Sequence, residues 1–344
     1  MNRAHYADHE AHNANKSGAS LRMALLLLSV FVLSAPIACG QTDKNTHDGI
    51  SPEYPFESQY VEVHGSKMHY VEQGSGDPIL FLHGNPASSY LWRNVIPHLS
   101  RHGRAIAPDL IGYGKSDKPF IEYRVFDQIR YMEGFIEALK LKNITLVVHD
   151  WGSAIGLHIA MTHPEWIKAI AMMDAHIRPI PTWADFSDDQ ESVQNFQAFR
   201  TPVLGWDLVI TQNIFLANVF PDAMIRQLTQ EEFDVYMEPF PTEESRRPVW
   251  RLANDIPVAG QPADTHALFA AYSQKLTKSQ IPKLLIYFEP GFVIKAKEVD
   301  WARANFPNLT TVKVGNSIHF VQEDDPHGIG EAIASWYQEL DNKR

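Results

Sequence analysis

The chain has 344 residues, 44% of them hydrophobic, so it is long enough to bury one large core or two modest ones. Acidic residues outnumber basic ones by 41 to 30, and the resulting net charge of -11 makes a nucleic-acid backbone an unfavourable partner. The sequence shows no internal repeat and no low-complexity tract. We therefore expect a globular protein that binds no nucleic acid.

The first 39 residues have the pattern of an export signal. Residues 1–22 are polar and carry three basic side chains, and residues 23–33 form an almost wholly apolar run. A basic region, an apolar core and small residues before a cut are typical of a secretory signal peptide. Cys39, the single cysteine, is placed as in a bacterial lipoprotein signal, so both kinds of signal remain open. We expect residues 1–39 to be a signal peptide, residues 40–55 to be a linker, and the product to be exported, either periplasmic or lipid-anchored to the membrane through Cys39.

The remaining chain is predicted to alternate strands and helices. We predict strands at 59–63, 67–73, 78–82, 104–108, 144–148, 166–173, 282–288 and 310–314, and helices at 89–99, 125–139, 154–161, 297–306 and 328–340. This alternation predicts an α/β fold, with a mostly parallel sheet and helices on both faces. It stops at residues 180–260, where aromatic and apolar positions favour helices. We expect a core formed by 56–179 and 261–344, with 180–260 inserted as a helical cap.

Asp150 lies at a tight turn between a predicted strand and a predicted helix. The turn resembles the nucleophile elbow of α/β-hydrolases, whose pattern is G-x-S-x-G, with Val148 in place of the first glycine and Asp150 in place of the serine. A carboxylate is ionised near neutral pH, so Asp150 can displace a leaving group from saturated carbon and form a covalent ester. The alternative is that Asp150 only caps the following helix.

The chain also supplies an acid and a histidine in the order that this fold requires. In an α/β-hydrolase the nucleophile, acid and histidine follow one another along the chain, each beyond the carboxyl end of a strand. Asp174 follows the strand after the elbow, and His319 follows the last strand. We predict a triad of Asp150, Asp174 and His319, and we interpret His149 and His83 as structural residues.

Asn85 and Trp151 are predicted to bind a leaving anion. Backbone N–H groups at these two places normally form the oxyanion hole of the fold. Here each residue also has a neutral side-chain donor, an amide or an indole, which suits a departing halide beside an attacking carboxylate. Taken singly, Asn85 is equally well explained as a turn residue and Trp151 as a packing aromatic.

With these residues the chain resembles a haloalkane dehalogenase of the α/β-hydrolase superfamily over nearly all of residues 55–340. The resemblance rests on the Asp150 elbow, His83-Gly84-Asn85-Pro86, Asp109 to Asp117, Arg178 to Trp183, Phe196 to Arg200, Glu289-Pro290-Gly291 and His319 to Asp324. It implies hydrolysis of a small halogenated aliphatic substrate to an alcohol, a halide and a proton, without a metal or organic cofactor. It further implies that Asp150 attacks carbon, that Asn85 and Trp151 hold the halide, and that His319 activates water.

The triad acid departs from the family pattern. Similar members carry Glu where this chain has Asp174, and other members place the acid after the next strand, where this chain has Glu289. We favour Asp174, although its side chain is one methylene shorter. The resemblance also assigns pocket positions to Phe196, Phe215, Leu252 and Phe292.

Three other functions remain open from the sequence. An epoxide hydrolase shares the Asp nucleophile, but it usually has an aromatic residue in place of Asn85 and two tyrosines in the cap, where Tyr236 is the clear candidate here. A coelenterazine-type luciferase carries nearly all the same motifs. A non-catalytic binder of small ligands on the same fold is the third alternative.

Overall fold

The computed structural model of the protein describes residues 49–342. The expected signal peptide, Cys39 and the linker as far as residue 48 lie outside the described residues. The strands are β1 Gln59–Val63, β2 Ser66–Gln73, β3 Pro78–Leu82, β4 Arg104–Pro108, β5 Ile144–His149, β6 Ile167–Ala175, β7 Lys283–Pro290 and β8 Leu309–Ser317. The helices are α1 Ile96–Leu99, α2 Val125–Ala138, α3 Asp150–Thr162, α4 Trp183–Phe186, α5 Gln190–Phe199, α6 Pro202–Trp206, α7 Gln230–Met237, α8 Arg247–Asp255, α9 Ala263–Leu276, α10 Ala296–Asn305, α11 Val321–Asp324 and α12 Pro326–Asn342.

All eight strands form one sheet in the order β1-β2-β4-β3-β5-β6-β7-β8. The β1–β2 and β2–β4 pairs are antiparallel, and the remaining neighbours are parallel. The predicted α/β fold class with a mostly parallel sheet is therefore confirmed. Because parallel strands end at the same edge, the chain after β3, β5, β6 and β8 is brought to one end of the sheet.

The central strands are apolar because helices cover both faces of the sheet. Every residue of β3, β5 and β6 is buried. Along β3, Leu80 and Leu82 point into one core cluster while Ile79 and Phe81 point into another, as the two-residue period of a strand requires. The sheet is thus held between two hydrophobic layers.

The described chain between β6 and α9 forms no strand and contains helices α4 to α8. Two short π-helical turns, Asp207–Thr211 and Phe215–Val219, join the helices in its middle. An isolated bridge between Ile180 and Val258 lies at the base of the insertion, where the chain leaves the core and returns. This helical segment lies over the carboxyl ends of the strands, since its residues line the same cavity as Asp150.

A buried ion network fastens this helical segment to the core. The Arg93 guanidinium donates to Glu323 at 2.6 Å and to Glu232 of α7 at 2.7 Å. Arg226 donates to both of these carboxylates, and the Tyr236 hydroxyl donates to Glu323. Since charges buried in this way are paired and hydrogen-bonded, the network fixes the position of α7 against α11.

One predicted helix is divided in the structure. The helix expected at 89–99 is a 3-10 turn, Ser89–Trp92, followed by the four-residue α1, which has Pro97 in its first turn. Proline lacks the N–H that a continuous helix would need at that point.

Among residues 49–342 no single helix is long and apolar enough to cross a membrane, although the bent pair Pro202–Thr211 and Phe215–Ala223 passes the same test together.

Candidate active site

Asp150 is held at the elbow by a strained backbone and by close neighbours. It is the first residue of α3 and has a φ of 47°, in the left-handed region. A Cβ at Gly152 would lie 2.2 Å from the Leu82 carbonyl oxygen, and one at Gly84 would lie 1.9 Å from Asp150 Oδ1. The turn therefore needs glycine at both positions, and the chain presents Asp150 at the end of β5 as the elbow motif predicts.

The two carboxylate oxygens of Asp150 have different surroundings. Oδ1 accepts a hydrogen bond of 2.8 Å from the Asn85 backbone N–H. Oδ2 lies 3.5 Å from Nε2 of His319 and also 3.5 Å from Nε2 of His176. Burial opposes ionisation, but the contacts with these two imidazoles outweigh it and hold the pKa of Asp150 well below its usual value. The group is an anion with one oxygen fixed and the other directed to the imidazoles.

Asp174, one of the two candidates for the triad acid, lies beside His319. Its Oδ2 is 2.5 Å from Nδ1 of His319. Its Oδ1 accepts hydrogen bonds from three successive backbone N–H groups after β7, those of Phe292 at 3.3 Å, Val293 at 3.0 Å and Ile294 at 2.9 Å. The shorter aspartate side chain therefore reaches the histidine, and its second oxygen is fixed by the backbone.

Glu289, the other predicted acid, is placed elsewhere. Its side chain is 59% exposed and forms an ion pair of 2.6 Å with Lys313 on the neighbouring strand. The structure thus brings Asp150, Asp174 and His319 together and leaves Glu289 at the surface.

His319 is surrounded by two carboxylates. Burial by itself would lower the pKa of His319, but hydrogen bonding and charge from Asp150 and Asp174 raise it to about 10. The imidazole is accordingly protonated near neutral pH while Asp150 is free. Removing one of the two negative charges would lower this pKa.

His149 and His83 brace the site, in agreement with their interpretation as structural residues. Nε2 of His149 is 2.8 Å from the His319 backbone carbonyl, and burial lowers the pKa of His149 to about 4. Nδ1 of His83 lies 2.8 Å from the Gly84 carbonyl, and its Nε2 accepts from the Leu110 N–H at 2.9 Å. Both rings hold backbone atoms in place, and neither points at Asp150 Oδ2.

Asn85 and Trp151 lie together at the cavity beside Asp150. The side-chain orientation of Asn85 is set by the Tyr113 hydroxyl, which is 3.1 Å from Asn85 Oδ1. One Asn85 Nδ2 hydrogen reaches the Val249 carbonyl at 3.2 Å, which leaves the second amide hydrogen for a ligand. The two residues that carry the expected neutral donors therefore line the same cavity as the Asp150 carboxylate.

The cavity above Asp150 has a volume of about 580 Å³. Three of the four predicted pocket residues line it, namely Phe196, Phe215 and Phe292. The prediction for Leu252 is wrong, because Leu252 does not line the cavity, whereas its neighbour Ala253 does. Successive residues on a helix differ by about 100° in direction, so the wrong one of two adjacent positions was assigned to the pocket.

The position of Tyr236 bears on the epoxide hydrolase alternative. The Tyr236 hydroxyl donates to Glu323 in the buried ion network, and Tyr236 does not line the cavity, so it cannot activate an epoxide beside Asp150.

His149, Asp174 and His319 offer ligand atoms within 4.8 Å of one another, a spacing that can hold a metal ion. Here the close contact between Asp174 and His319 joins the two by a hydrogen bond, which is the arrangement of a triad.

His176 is a site residue that the sequence reasoning missed. It follows Asp174 by two residues, lines the cavity and is 3% exposed. The only signal in the sequence was its position beyond the carboxyl end of the strand that carries Asp174. One histidine among 16 gave no reason to single it out.

The comparisons with known proteins agree with this geometry. Residues 77–326 match the family model of the alpha/beta hydrolase fold. A haloalkane dehalogenase of Mesorhizobium japonicum is 44% identical over 83% of this chain and 92% of its own length. One of Sphingobium indicum is also 44% identical, over 83% of this chain and 97% of its own length.

The chain belongs to the haloalkane dehalogenase family. The crystal structure of the haloalkane dehalogenase DbeA from Bradyrhizobium elkani USDA94 superposes with a TM-score of 0.82 at 37% identity, covering 84% of this chain and 100% of that one. The predicted family and the α/β-hydrolase fold are thus confirmed, and the chain is a hydrolase of the haloalkane dehalogenase class.

Proposed function

We propose that this haloalkane dehalogenase cleaves the carbon–halogen bond of a small haloalkane in two steps, through a covalent ester on Asp150. The observation that carries the proposal is the buried Asp150 carboxylate, with Oδ1 fixed by a backbone N–H and Oδ2 directed to His319. A serine nucleophile would need its proton removed before attack, whereas this carboxylate is already ionised.

In the first step Asp150 Oδ2 attacks the carbon that carries the halogen, and the halide leaves with the bonding electron pair. Asn85 and Trp151 lie at the cavity beside the nucleophile. Their side-chain N–H groups stabilise the negative charge that develops on the halogen, and they carry no positive charge that would pair with Asp150 instead. The product is a neutral alkyl ester of Asp150 and a bound halide.

In the second step His319 acts as a general base. Esterification removes the charge of Asp150, so the pKa of His319 falls from its high value in the free enzyme and the ring can release its proton to solvent. It then takes a proton from water, whose oxygen attacks the ester carbon, while Asp174 stabilises the imidazolium. The Asn85 N–H supports the oxyanion at Oδ1. The alcohol departs with the former Oδ2, and the water oxygen remains in Asp150.

The cavity supports a small, largely apolar substrate. Phe196, Phe215 and Phe292 form aromatic walls around a volume of about 580 Å³. Asn85 and Trp151, which carry side-chain N–H donors, line the same cavity. Apolar walls with a few oriented polar groups suit a neutral haloalkane. No metal or organic cofactor takes part in either proposed step.

The direct test is halide and acid release from a panel of bromo- and chloroalkanes. The wild-type protein and Asp150→Asn are compared under the same conditions, with circular dichroism as a check of folding. We expect steady release of both products by wild type and none above background by the variant. Absence of halide from every substrate would contradict the proposal, and turnover of epoxides or coelenterazine would favour one of the other activities.

We further propose that residues 1–39 direct export of the protein. The support is the basic, apolar and small-residue pattern of that segment and the place of Cys39. Expression of the full chain in a Gram-negative host, followed by fractionation and determination of the mature N-terminus, tests this. A lipid-modified N-terminus at Cys39 that is lost in Cys39→Ser indicates anchoring. An intact leader in the cytoplasmic fraction would contradict export.

A further inference from the structure

A second imidazole faces the nucleophile of this enzyme. His176 Nε2 lies 3.5 Å from Asp150 Oδ2, the same separation as that of His319 Nε2. The oxygen that attacks the substrate is therefore flanked by two histidines. The reaction as proposed uses one of them.

The position of His176 is fixed by hydrogen bonds on both sides of its backbone. Its N–H donates to Ser153 Oγ at 2.7 Å, and the Ser153 hydroxyl in turn donates to the Asp150 carbonyl at 2.5 Å. The Tyr272 hydroxyl donates to the His176 carbonyl at 2.5 Å. Ser153 thus ties the His176 backbone directly to the nucleophile elbow, so the imidazole is presented to Oδ2 by a rigid support.

The His176 ring is packed between two aromatic side chains. Its centroid lies 5.6 Å from that of Trp151 and 5.4 Å from that of Phe269. Within residues 49–342 neither ring nitrogen has a hydrogen-bond partner of normal geometry. A buried polar group without such a partner is uncommon in proteins, and it calls for an explanation at a reacting site.

His176 and His319 differ in what supports the second ring nitrogen. Nδ1 of His319 is hydrogen-bonded to Asp174, which stabilises the imidazolium form of His319. Among the described residues, Nδ1 of His176 has no carboxylate as a hydrogen-bond partner. His176 therefore lacks the carboxylate partner that His319 has, and its Nε2 faces Oδ2 in a position to donate a hydrogen bond. Hydrogen bonds that are long in a free enzyme often shorten along the reaction.

We propose that His176 donates a hydrogen bond from Nε2 to Asp150 Oδ2 and stabilises this oxygen as it departs with the alkyl group in the second step. This proposal rests on the proposed function. The water oxygen bonds to the ester carbon and its proton passes to His319. The bond from that carbon to Oδ2 then breaks, and the electron pair stays on Oδ2. The proton of the alcohol comes from His319, so His176 keeps its own proton throughout.

This role predicts opposite effects on the two steps. A donor to Oδ2 makes the free carboxylate a weaker nucleophile, and it makes the departing alkoxide oxygen more stable. Loss of the donor should therefore leave alkylation as fast or faster and slow the hydrolysis of the ester. A residue that only supported the shape of the site would slow both steps when replaced.

The test compares His176→Phe and His176→Met, which lack the donor, with His176→Gln, whose amide N–H can replace it. His158→Phe is the control, because His158 lies on α3 without lining the cavity. Each protein is mixed rapidly with excess bromoalkane, and the halide burst and the fraction of alkyl-enzyme are measured by acid quench and mass spectrometry. We expect ester hydrolysis to slow about tenfold in Phe and Met, with a larger steady-state ester fraction, and to recover in Gln.

Equal slowing of both steps in the donor-less variants, or an unchanged ester fraction, would overturn the role of His176. If the Phe variant does not fold, as judged by circular dichroism, the Met and Gln variants decide. A wild-type protein that releases no halide would overturn the proposed function and this role with it. A normal wild-type burst with unchanged variants overturns the role of His176 alone.

Discussion

Asp174 divides its two carboxylate oxygens between the histidine and the backbone. Oδ2 meets His319 Nδ1 at 2.5 Å, and Oδ1 accepts from three backbone N–H groups after β7. The backbone of Asp174 has a φ of 36°, so the chain turns sharply at this residue. Such a turn brings a short side chain close to the ring, and it is a local strain that the sequence pattern alone does not reveal.

Replacement of Asp174 by Asn should lower the rate of ester hydrolysis severely. The amide cannot stabilise the imidazolium, and its NH₂ group cannot accept from the backbone, so we expect a loss of about 10³- to 10⁴-fold in kcat. Glu289→Gln is the matched control, since Glu289 is exposed and pairs with Lys313. Halide release under saturating substrate measures both. A large loss in Glu289→Gln with an active Asp174→Asn would assign the acid to Glu289.

Hydrolysis of the ester should depend on pH through His319. The neutral ring is the base, so the step slows as the pH falls through the pKa of His319. In the free enzyme two carboxylates raise this pKa to about 10, and esterification removes one of them. We therefore expect the midpoint for ester decay in single-turnover experiments to lie below 10. Decay that becomes faster as the pH falls would contradict the role of His319.

At the level of the single residue, the catalytic triad is easier to predict from the sequence than the residues that surround it. Asp150, Asp174 and His319 were predicted because the ends of parallel strands meet, whatever the details of the loops. His176 was not, because its approach to Oδ2 depends on Ser153 and on the turn at Asp174. Contacts of this kind arise from the packed structure and leave no periodic pattern in the sequence.

The rotation of helix α8 about its own axis decides which of its side chains lines the cavity. Both Leu252 and Ala253 are buried, but only Ala253 lines the cavity. The sequence pattern indicates that this pair of positions lies near the cavity, but it does not indicate which of the two residues lines it. A rotation of about 100° separates adjacent residues on a helix, and the sequence does not fix the rotation of a short helix to that accuracy.

Substitutions at these two positions should have separate effects. Ala253→Phe fills part of the cavity, so we expect turnover of long haloalkanes to fall relative to short ones while the melting temperature stays near that of wild type. Leu252→Ala leaves a void in the core and should lower the free energy of unfolding by about 2–5 kcal/mol, with little change in chain-length preference. Rates across a chain-length series and denaturant unfolding measure the two. The reverse outcome would place Leu252 at the cavity.

The bounds of the central strands match their predictions more closely than the helices do. Strands β3 and β5 have the predicted bounds or differ by one residue, because a fully buried apolar run has clear ends. The helix predicted at 89–99 is divided, since Pro97 lies in the first turn of a new helix, α1. The π-helical turns of the cap have no sequence signature comparable to an apolar alternation.

For the molecule as a whole, the buried ion network between the cap and the core should set stability in acid. Burial opposes the charge on Glu232, but hydrogen bonds and charge from Arg226 and Arg93 lower its pKa from 4.5 to about 2. Its contribution to stability is thus present above about pH 4.5, and it is lost as the pH falls towards 2.

Glu232→Gln should destabilise the protein at neutral pH by about 3–5 kcal/mol, because Arg93 and Arg226 would then share the single buried carboxylate of Glu323. Glu231→Gln, at the exposed neighbouring position, is the control and should change stability little. Denaturant unfolding at neutral pH and at pH 3 measures both variants. The difference between Glu232→Gln and wild type should shrink in acid. A constant difference would exclude a role for the charge.

In the proposed reaction the carbon–halogen bond is broken by formation of an ester on Asp150. His319→Phe removes the base of the second step and leaves the nucleophile in place. Incubation of this variant with a bromoalkane, followed by intact mass measurement and peptide mapping, tests the claim most directly. We predict one equivalent of halide per enzyme and a stable adduct of the alkyl mass on the peptide that contains Asp150. Continued halide release without an adduct, or an adduct on another residue, would contradict it.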